Sequence, residues 1–551
     1  MVSSFDIFDT CLLRKCGTPE NFFDVFSLRV FNGEVEEWAR QEFVAARHLA
    51  QQSVQSPSMK LKDVWDAFSW THPQLKSKEE LYQLEQETER EMLVPVLKMR
   101  DKVNECREKG YHIVFISDMY LPSSFLREVM QEQGFFKEGD GLYVSCECDA
   151  EKWNGKLFEY IREKEKVSFR HWHHYGDNKV GDYKVPRKLG IKAILVNHEY
   201  TPYQKKWVDN DYSLGFKYPS ILAGLGRALH HSTERTTHTD FVLDIIAPFY
   251  CSWMYQVLLD AQEKGIKRLY FCARDAYQIH KIALQMQRLF PNVGIEYVYT
   301  SRKALYNEAN DEAKIAYFKQ IGLATKTDKV AIVDITTSGK TLQYLNEYLK
   351  TKGYQNCTAY YYLLWNKVEG ADRNRCDVKV YDAYIYNNHN TSSFIHHPFL
   401  FIFENLFGLN AEPKTIDYKD GRAIFTYEMG EEDCRYKDGY NWVSVHEGLL
   451  VAYANEFVVL HLGQFAKEIF ERIGVVALNE FFKEPQKAYV CSLDSFCYIE
   501  KETSKTYTFI KKINNPFKLR KKNRTYAWRR GTLYYSFPMW VLKLVKFLKH
   551  V

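Results

Sequence analysis

No C-x-x-C pair occurs among the 12 cysteines of this 551-residue chain, and the one close pair is Cys146 with Cys148. That argues against a zinc site and against a disulfide framework, and a reducing cytoplasm is the expected setting. The start of the sequence lacks the basic residues and uninterrupted apolar stretch of a signal peptide. Its most apolar long window, "FVLDIIAPFYCSWMYQVLL", is broken by Asp244, Pro248 and Gln256, so a buried helix is expected there and not a membrane span. No internal repeat or low-complexity tract appears. Acidic residues are missing from one place: from Lys511 onward there are 12 Lys or Arg and no Asp or Glu, while the rest of the chain holds 63 basic against 70 acidic residues. The mild net charge of +5 therefore hides an acidic body and a basic tail. With 46% hydrophobic and 16% aromatic residues, the chain is long enough for two to four domains with real cores.

What is present is a recurring pattern. Apolar, β-branched runs ending in polar turns appear at "YHIVFISDMY", "HWHHYGDN", "IKAILVNHE", "IKRLYFCARDAY", "IEYVYTSRK" and "KVAIVDITTSG", with helical stretches between them. This alternation predicts α/β domains built on parallel sheets. Between Lys15 and about Arg100 the periodicity is helical, which predicts an insertion hanging on the first sheet. The polar segment "HHSTERTTHTD", His230 to Asp240, is the expected boundary between two groups of strands.

The chain opens with "SFDIFDTCLLRK", which aims Asp6 and Asp9 off the end of a strand although strand interiors disfavour Asp. Three further polar signals follow predicted strands: Ser117 in "VFISDMY", Lys152 in "EKWNGKLF", and Asp177 with Asp182 in "YGDNKVGD". Open α/β sheets place ligands at such strand ends. Together these groups suit phosphoryl transfer: a carboxylate nucleophile, a hydroxyl and an ammonium for the phosphoryl oxygens, and carboxylates for Mg2+. Taken singly, each is an ordinary turn, cap or solvated charge.

The ordered set resembles the haloacid dehalogenase-like phosphatase superfamily over about residues 1–200. The resemblance implies a Rossmannoid domain with a helical cap at about 17–100. It assigns Asp6 as nucleophile, Ser117 and Lys152 as phosphate-binding groups, and a Mg2+ site at Asp6, Phe8, Asp177 and Asp182. One departure stands out. The family's acid/base Asp normally lies two residues after the nucleophile, where this chain has Phe8, with Asp9 one residue later. Either Asp9 serves as the general acid in its place, or the leaving oxygen is protonated less directly.

The stretch "KVAIVDITTSGKTLQYL" is an apolar strand, one acid, then a Thr/Ser/Gly loop opening a helix, a composition that offers N–H groups, hydroxyls and a helix dipole to phosphate. A nucleotide-binding P-loop would need glycine at position 334, which is Asp334. The stretch resembles the phosphoribosyl-pyrophosphate signature of phosphoribosyltransferases. That likeness assigns Thr337, Ser338, Gly339, Lys340 and Thr341 to the 5-phosphate and Asp334 to the ribose hydroxyls. Arg274 in "FCARDAY" and Arg302 with Lys303 in "YTSRKALY" fall to the pyrophosphate. Asp275, or Glu404 in "HHPFLFIFENLFGLN", is the candidate base for an acceptor hydroxyl. A divergent phosphoribosyltransferase-like α/β domain is thus expected at 241–510, after a linker at 201–240.

The two domains in this order resemble dual-domain bacterial ribofuranosyltransferases of surface polysaccharide assembly. The resemblance implies phosphoribosyl pyrophosphate as donor, a lipid-linked glycan as acceptor and Mg2+ as cofactor. The tail, 511–551, ends in "MWVLKLVKFLKHV", readable as an interfacial helix for an anionic membrane surface or as a helix packed on the body. No nucleic-acid module accompanies its charge. The rival expectation is a small-molecule phosphatase with a non-catalytic nucleotide-binding domain, and a membrane-bound scaffold comes third.

Overall fold

The computed structural model describes residues 1–32, 35–209, 218–233, 239–240, 242–273, 276–336, 340–354, 357–364, 378–382, 414–426 and 439–470. It divides into two compact units, Met1–Thr236 and Thr237–Val551.

In the first unit the central strand is β1 (Val2–Asp6), buried along its whole length. It is followed by two short strands, β2 (Leu12–Arg14) and β3 (Leu93–Pro95), then by β4 (His112–Ser117), β5 (Gly141–Val144), β6 (Trp172–Gly176) and β7 (Lys192–Leu195). The main sheet has the order β5-β4-β1-β6-β7, and every pair in it is parallel. Counting only its own strands, that order is 3-2-1-4-5. The order reverses between β1 and β6, so a crevice opens outside their carboxyl ends. Phe5 of β1 stacks on Tyr175 of β6 with ring centroids 4.8 Å apart, below that crevice.

The predicted insertion forms between β2 and β3, which pair antiparallel and carry the chain out and back side by side. It consists of helices Pro19–Val30, Glu37–Ser53, Leu61–Ala67 and Lys78–Met92. Thr18 caps the first by accepting from the Asn21 N–H, and Ser77 with Glu80 forms a capping box on the last. Phe26, Phe43, Trp65 and Phe68 make a tilted and edge-on aromatic core. A fully buried Arg47–Glu85 ion pair at 2.7 Å joins the second helix to the fourth.

One expectation is corrected here. The segment 201–240, expected as a linker, carries helices Pro202–Asp209 and Tyr218–Ser232 within the first unit. The second of these is held by close approach: a Cβ on Gly224 would fall 2.3 Å from the Gly17 Cα. Asn21 Nδ2 also donates to Ser220 Oγ at 2.9 Å.

The second unit has a five-stranded sheet of β8 (Arg268–Cys272), β9 (Gly294–Val298), β10 (Val330–Thr336), β11 (Cys357–Leu364) and β12 (Val378–Asp382), in the order β12-β11-β10-β8-β9 and parallel throughout. Its order is 2-1-3-4-5, so its reversal lies between β8 and β10. A hairpin of β13 (Lys414–Lys419) and β14 (Arg422–Thr426) follows. The apolar window became the helix Val242–Glu263, long and apolar enough to cross a membrane, yet 83% of its most apolar window is buried inside the protein. Helices Glu447–Val459 and Leu462–Glu468 pass the same length and composition test only as one span bent by 94°.

Candidate active site

Four loops of the first unit converge on the crevice between β1 and β6. The first leaves β1 at Asp6 and turns at once, because the Ile7 carbonyl accepts from both Cys11 and Leu12 N–H groups at 2.9 Å. Asp9 takes φ +54° in that turn, a left-handed conformation that Asp tolerates better than most residues. The second loop follows β4 and presents Ser117, the third carries Lys152, and the fourth follows β6 with Asp177 and Asp182. All five candidates, with Phe8 and Asp9, line one cleft of about 550 Å³.

Lys152 is the hub of this site. Its Nζ lies 2.5 Å from Asp6 Oδ1 and 2.7 Å from Asp182 Oδ1, with all three side chains buried. Burial works against its ammonium, but Asp6, Asp182 and Asp118 outweigh that and hold its pKa above the ordinary lysine value. Burial also opposes ionisation of Asp182, yet Lys152 and His174 hold this carboxyl well below the usual range. Asp6 goes the other way: burial pushes it well above the usual range, Lys152 works against that, and the Asp182 and Asp177 charges add to the rise. Asp177 is raised by burial and by Asp9 and Asp182.

One carboxylate oxygen from each of Asp6, Asp177 and Asp182 lies within 4.8 Å of the others. An all-oxygen donor set with surplus negative charge fits a hard divalent cation of the Mg2+ type. Thr10 Oγ1 donates to Asp177 Oδ1 at 3.2 Å, and the Asn178 N–H donates to Asp182 Oδ2 at 3.0 Å, so both carboxylates are aimed.

Three groups escaped the sequence reading. Asp118 accepts from the Lys152 backbone N–H with both oxygens at 3.0 Å, pinning the lysine loop to the end of β4. His174 is fully buried and bridges Asp182 Oδ1 at 3.1 Å and Ser4 Oγ at 2.7 Å. Since the carboxylate only accepts, His174 Nε2–H donates to it and Nδ1 accepts from Ser4, whose oxygen takes the Trp172 Nε1–H at 2.7 Å. Burial lowers the His174 pKa, consistent with this neutral tautomer. The alternation in "WHHYG" puts Trp172 and His174 on one face, and that was the available signal. The third group is Arg227, from the segment expected as a linker. Its Nη2 donates to Asp9 Oδ1 at 2.8 Å, so Asp9 stands as the partner of a guanidinium at the cleft wall. Phe8, at the departed position, lies under the Arg14 guanidinium at 4.4 Å, and Arg14 pairs with Glu89 of the insertion at 2.7 Å.

In the second unit Asp334 is half-buried on β10, the strand–helix pattern forms as β10 and Lys340–Thr351, and Arg302 with Lys303 stands exposed just after β9. Arg274, Asp275, Thr337, Ser338, Gly339, Glu404 and the tail lie outside the described residues, as do the side chains of Lys340 and Thr341.

No family model matches the chain, and no curated protein does. Among solved structures it is similar to a HAD family enzyme from Bacteroides thetaiotaomicron in complex with magnesium and inorganic phosphate. Identity is 15%, covering 35% of this chain and 93% of that one, with a TM-score of 0.25. It is also similar to a 2-haloacid dehalogenase from Pseudomonas syringae pv. tomato, with 14% identity over 36% of this chain and 87% of that one and a TM-score of 0.27. The matched part is the N-terminal third.

Proposed function

We propose that the first unit is a Mg2+-dependent phosphatase with a carboxylate nucleophile, and that the second transfers a 5-phosphoribosyl group from phosphoribosyl pyrophosphate to a glycan hydroxyl. The first unit then removes the 5-phosphate, leaving ribofuranose. The observation that carries the reading is the cluster Asp6–Lys152–Asp182 with Asp177, at the point where the sheet's strand order reverses. For the transfer, support comes from Asp334 on β10 and the start of the next helix at Lys340, both beside the reversal of the second sheet.

In the phosphatase half-reactions an Asp6 oxygen bonds to phosphorus as the ester P–O bond breaks, and the departing alkoxide takes a proton from Asp9 or from a cleft water. Water then attacks the phosphorus of the acyl phosphate, phosphate leaves, and the Asp6 carboxylate returns. Lys152 and Ser117 hold phosphoryl oxygens. A divalent cation held by Asp6, Asp177 and Asp182 supplies charge neutralisation between the anionic nucleophile and the phosphoryl group. Asp118 and His174 act as positioning residues that fix Lys152 and Asp182.

In the transfer, the bond from ribose C1 to pyrophosphate breaks, C1 bonds to the acceptor oxygen, and the hydroxyl proton passes to a base. The test is direct: the full chain with Mg2+, phosphoribosyl pyrophosphate and candidate glycans should release pyrophosphate only when glycan is present. Phosphoester hydrolysis without any glycan-dependent pyrophosphate release would favour a small-molecule phosphatase instead.

A further inference from the structure

Trp153 follows the buried lysine directly and is its opposite: Lys152 is 5% exposed and Trp153 is 61% exposed. A single exposed indole is ordinary. Trp38, exposed to a comparable 55%, lies outside the cleft lining, whereas Trp153 stands within it beside Lys152, Gly181 and Asn178. Its Nε1 donates to Glu151 Oε2 at 2.7 Å, which ties the ring at the rim and leaves its faces for other contacts.

The insertion lends the cleft lining Glu20, His48 and Gln51, hydrogen-bonding groups set over the buried rings of Phe22 and Phe23. A sugar suits such a lining, since its hydroxyls meet amide, imidazole and carboxylate groups while a C–H face lies on the exposed Trp153 ring. The cleft, at about 550 Å³, is also larger than its phosphoryl-binding end requires.

We propose that Trp153 is a stacking platform for the sugar bonded to the phosphorylated pentose, so that the first unit selects a glycan-linked 5-phosphoribosyl group over a free phosphopentose. The proposal rests on the phosphatase reading above and deepens it, because such selectivity sets dephosphorylation after transfer.

The test compares kcat/KM of the full chain with Mg2+ on two substrates, a synthetic disaccharide ending in 5-phosphoribofuranose and ribose 5-phosphate. Wild type should favour the disaccharide by about tenfold, the scale of one good aromatic contact with its buried area. Trp153→Ala should collapse the ratio towards one, and Trp153→Phe should keep most of it. Equal rates in wild type, or an undiminished ratio in Trp153→Ala, would overturn the platform. p-Nitrophenyl phosphate separates the two levels: its hydrolysis without selectivity removes only the platform. Failure to hydrolyse any of the three esters removes the phosphatase reading and the platform with it.

Discussion

The chemistry of single residues here is governed by what burial does to charge. Lys152 is the ammonium shared by two buried carboxylates, so its removal leaves both facing each other. Lys152→Ala should destabilise the first unit by about 3–5 kcal/mol, the usual cost of breaking a buried ion pair from one side. Urea titration would measure this, and Mg2+ should recover part of the loss if Asp6, Asp177 and Asp182 take the cation. A midpoint indifferent to Mg2+ would count against that donor set. In the second unit, burial lowers the His280 pKa to about 4, with Lys281 adding to it. The unfolded chain takes up a proton below about pH 6.5 and the folded one resists until about pH 4. The contribution of neutral His280 is therefore complete above pH 6.5 and lost as pH falls towards 4. Thermal midpoints of wild type and His280→Gln should converge over that interval, and parallel curves would show that His280 does not titrate abnormally.

Among the elements, helix Tyr218–Ser232 matters most, since it ties the loop after the nucleophile to the end of the unit. Gly224 sits on Gly17, and Arg227 reaches Asp9. A methyl at position 224 has no room, because its contacts are backbone atoms of Cys16 and Gly17. Gly224→Ala should lift the helix, cost a few kcal/mol as overpacking does, and loosen the helix Pro202–Asp209 packed against it, making it more open to proteases. Unchanged proteolysis would mean that the backbone there yields easily. The same helix shows the limits of reading sequence. All six quoted apolar runs formed strands β4, β6, β7, β8, β9 and β10, because apolar, β-branched runs suit parallel strands, of which β4 and β8 are buried almost throughout and the edge strand β7 is not. Asp6 and Ser117 are legible because each is polar just where an apolar run stops, and Asp177 with Asp182 because they lie in the turn after one, whereas Lys152, in the loop beyond β5, is marked only by its place in the ordered set. Helix Tyr218–Ser232 reads as linker in the sequence because its seat, Gly17, lies far away along the chain and carries no periodic mark. His174 was overlooked because an imidazole inside a strand looks like any other strand residue until Asp182 is seen beside it. Strand β5 is not legible either, because "GLYV" is an isolated short run between Asp140 and Ser145, whereas β7, equally four residues, sits in the longer run "IKAILV".

At the scale of the whole molecule, each unit carries, among the described residues, its own parallel sheet with a strand-order reversal, the place where α/β sheets set ligands. The two activities proposed above can therefore be separated by single substitutions. Asp6→Asn removes the proposed nucleophile of the first sheet and leaves the second unit's residues unchanged, so it should still consume phosphoribosyl pyrophosphate and glycan. The product should then stall as a phosphorylated pentose on the acceptor, visible by mass spectrometry, where wild type adds an unphosphorylated one. Asp334→Ala should do the reverse, losing pyrophosphate release while still hydrolysing a simple phosphoester. Mixing the two variants should restore the wild-type product in trans, because the stalled glycan is a free intermediate that the intact first unit of the second variant can finish. An Asp6→Asn product that already carries free pentose would remove Asp6 from the mechanism. Absence of any addition by that variant would mean that phosphate leaves the donor before transfer, and the order of the two reactions would have to be reversed.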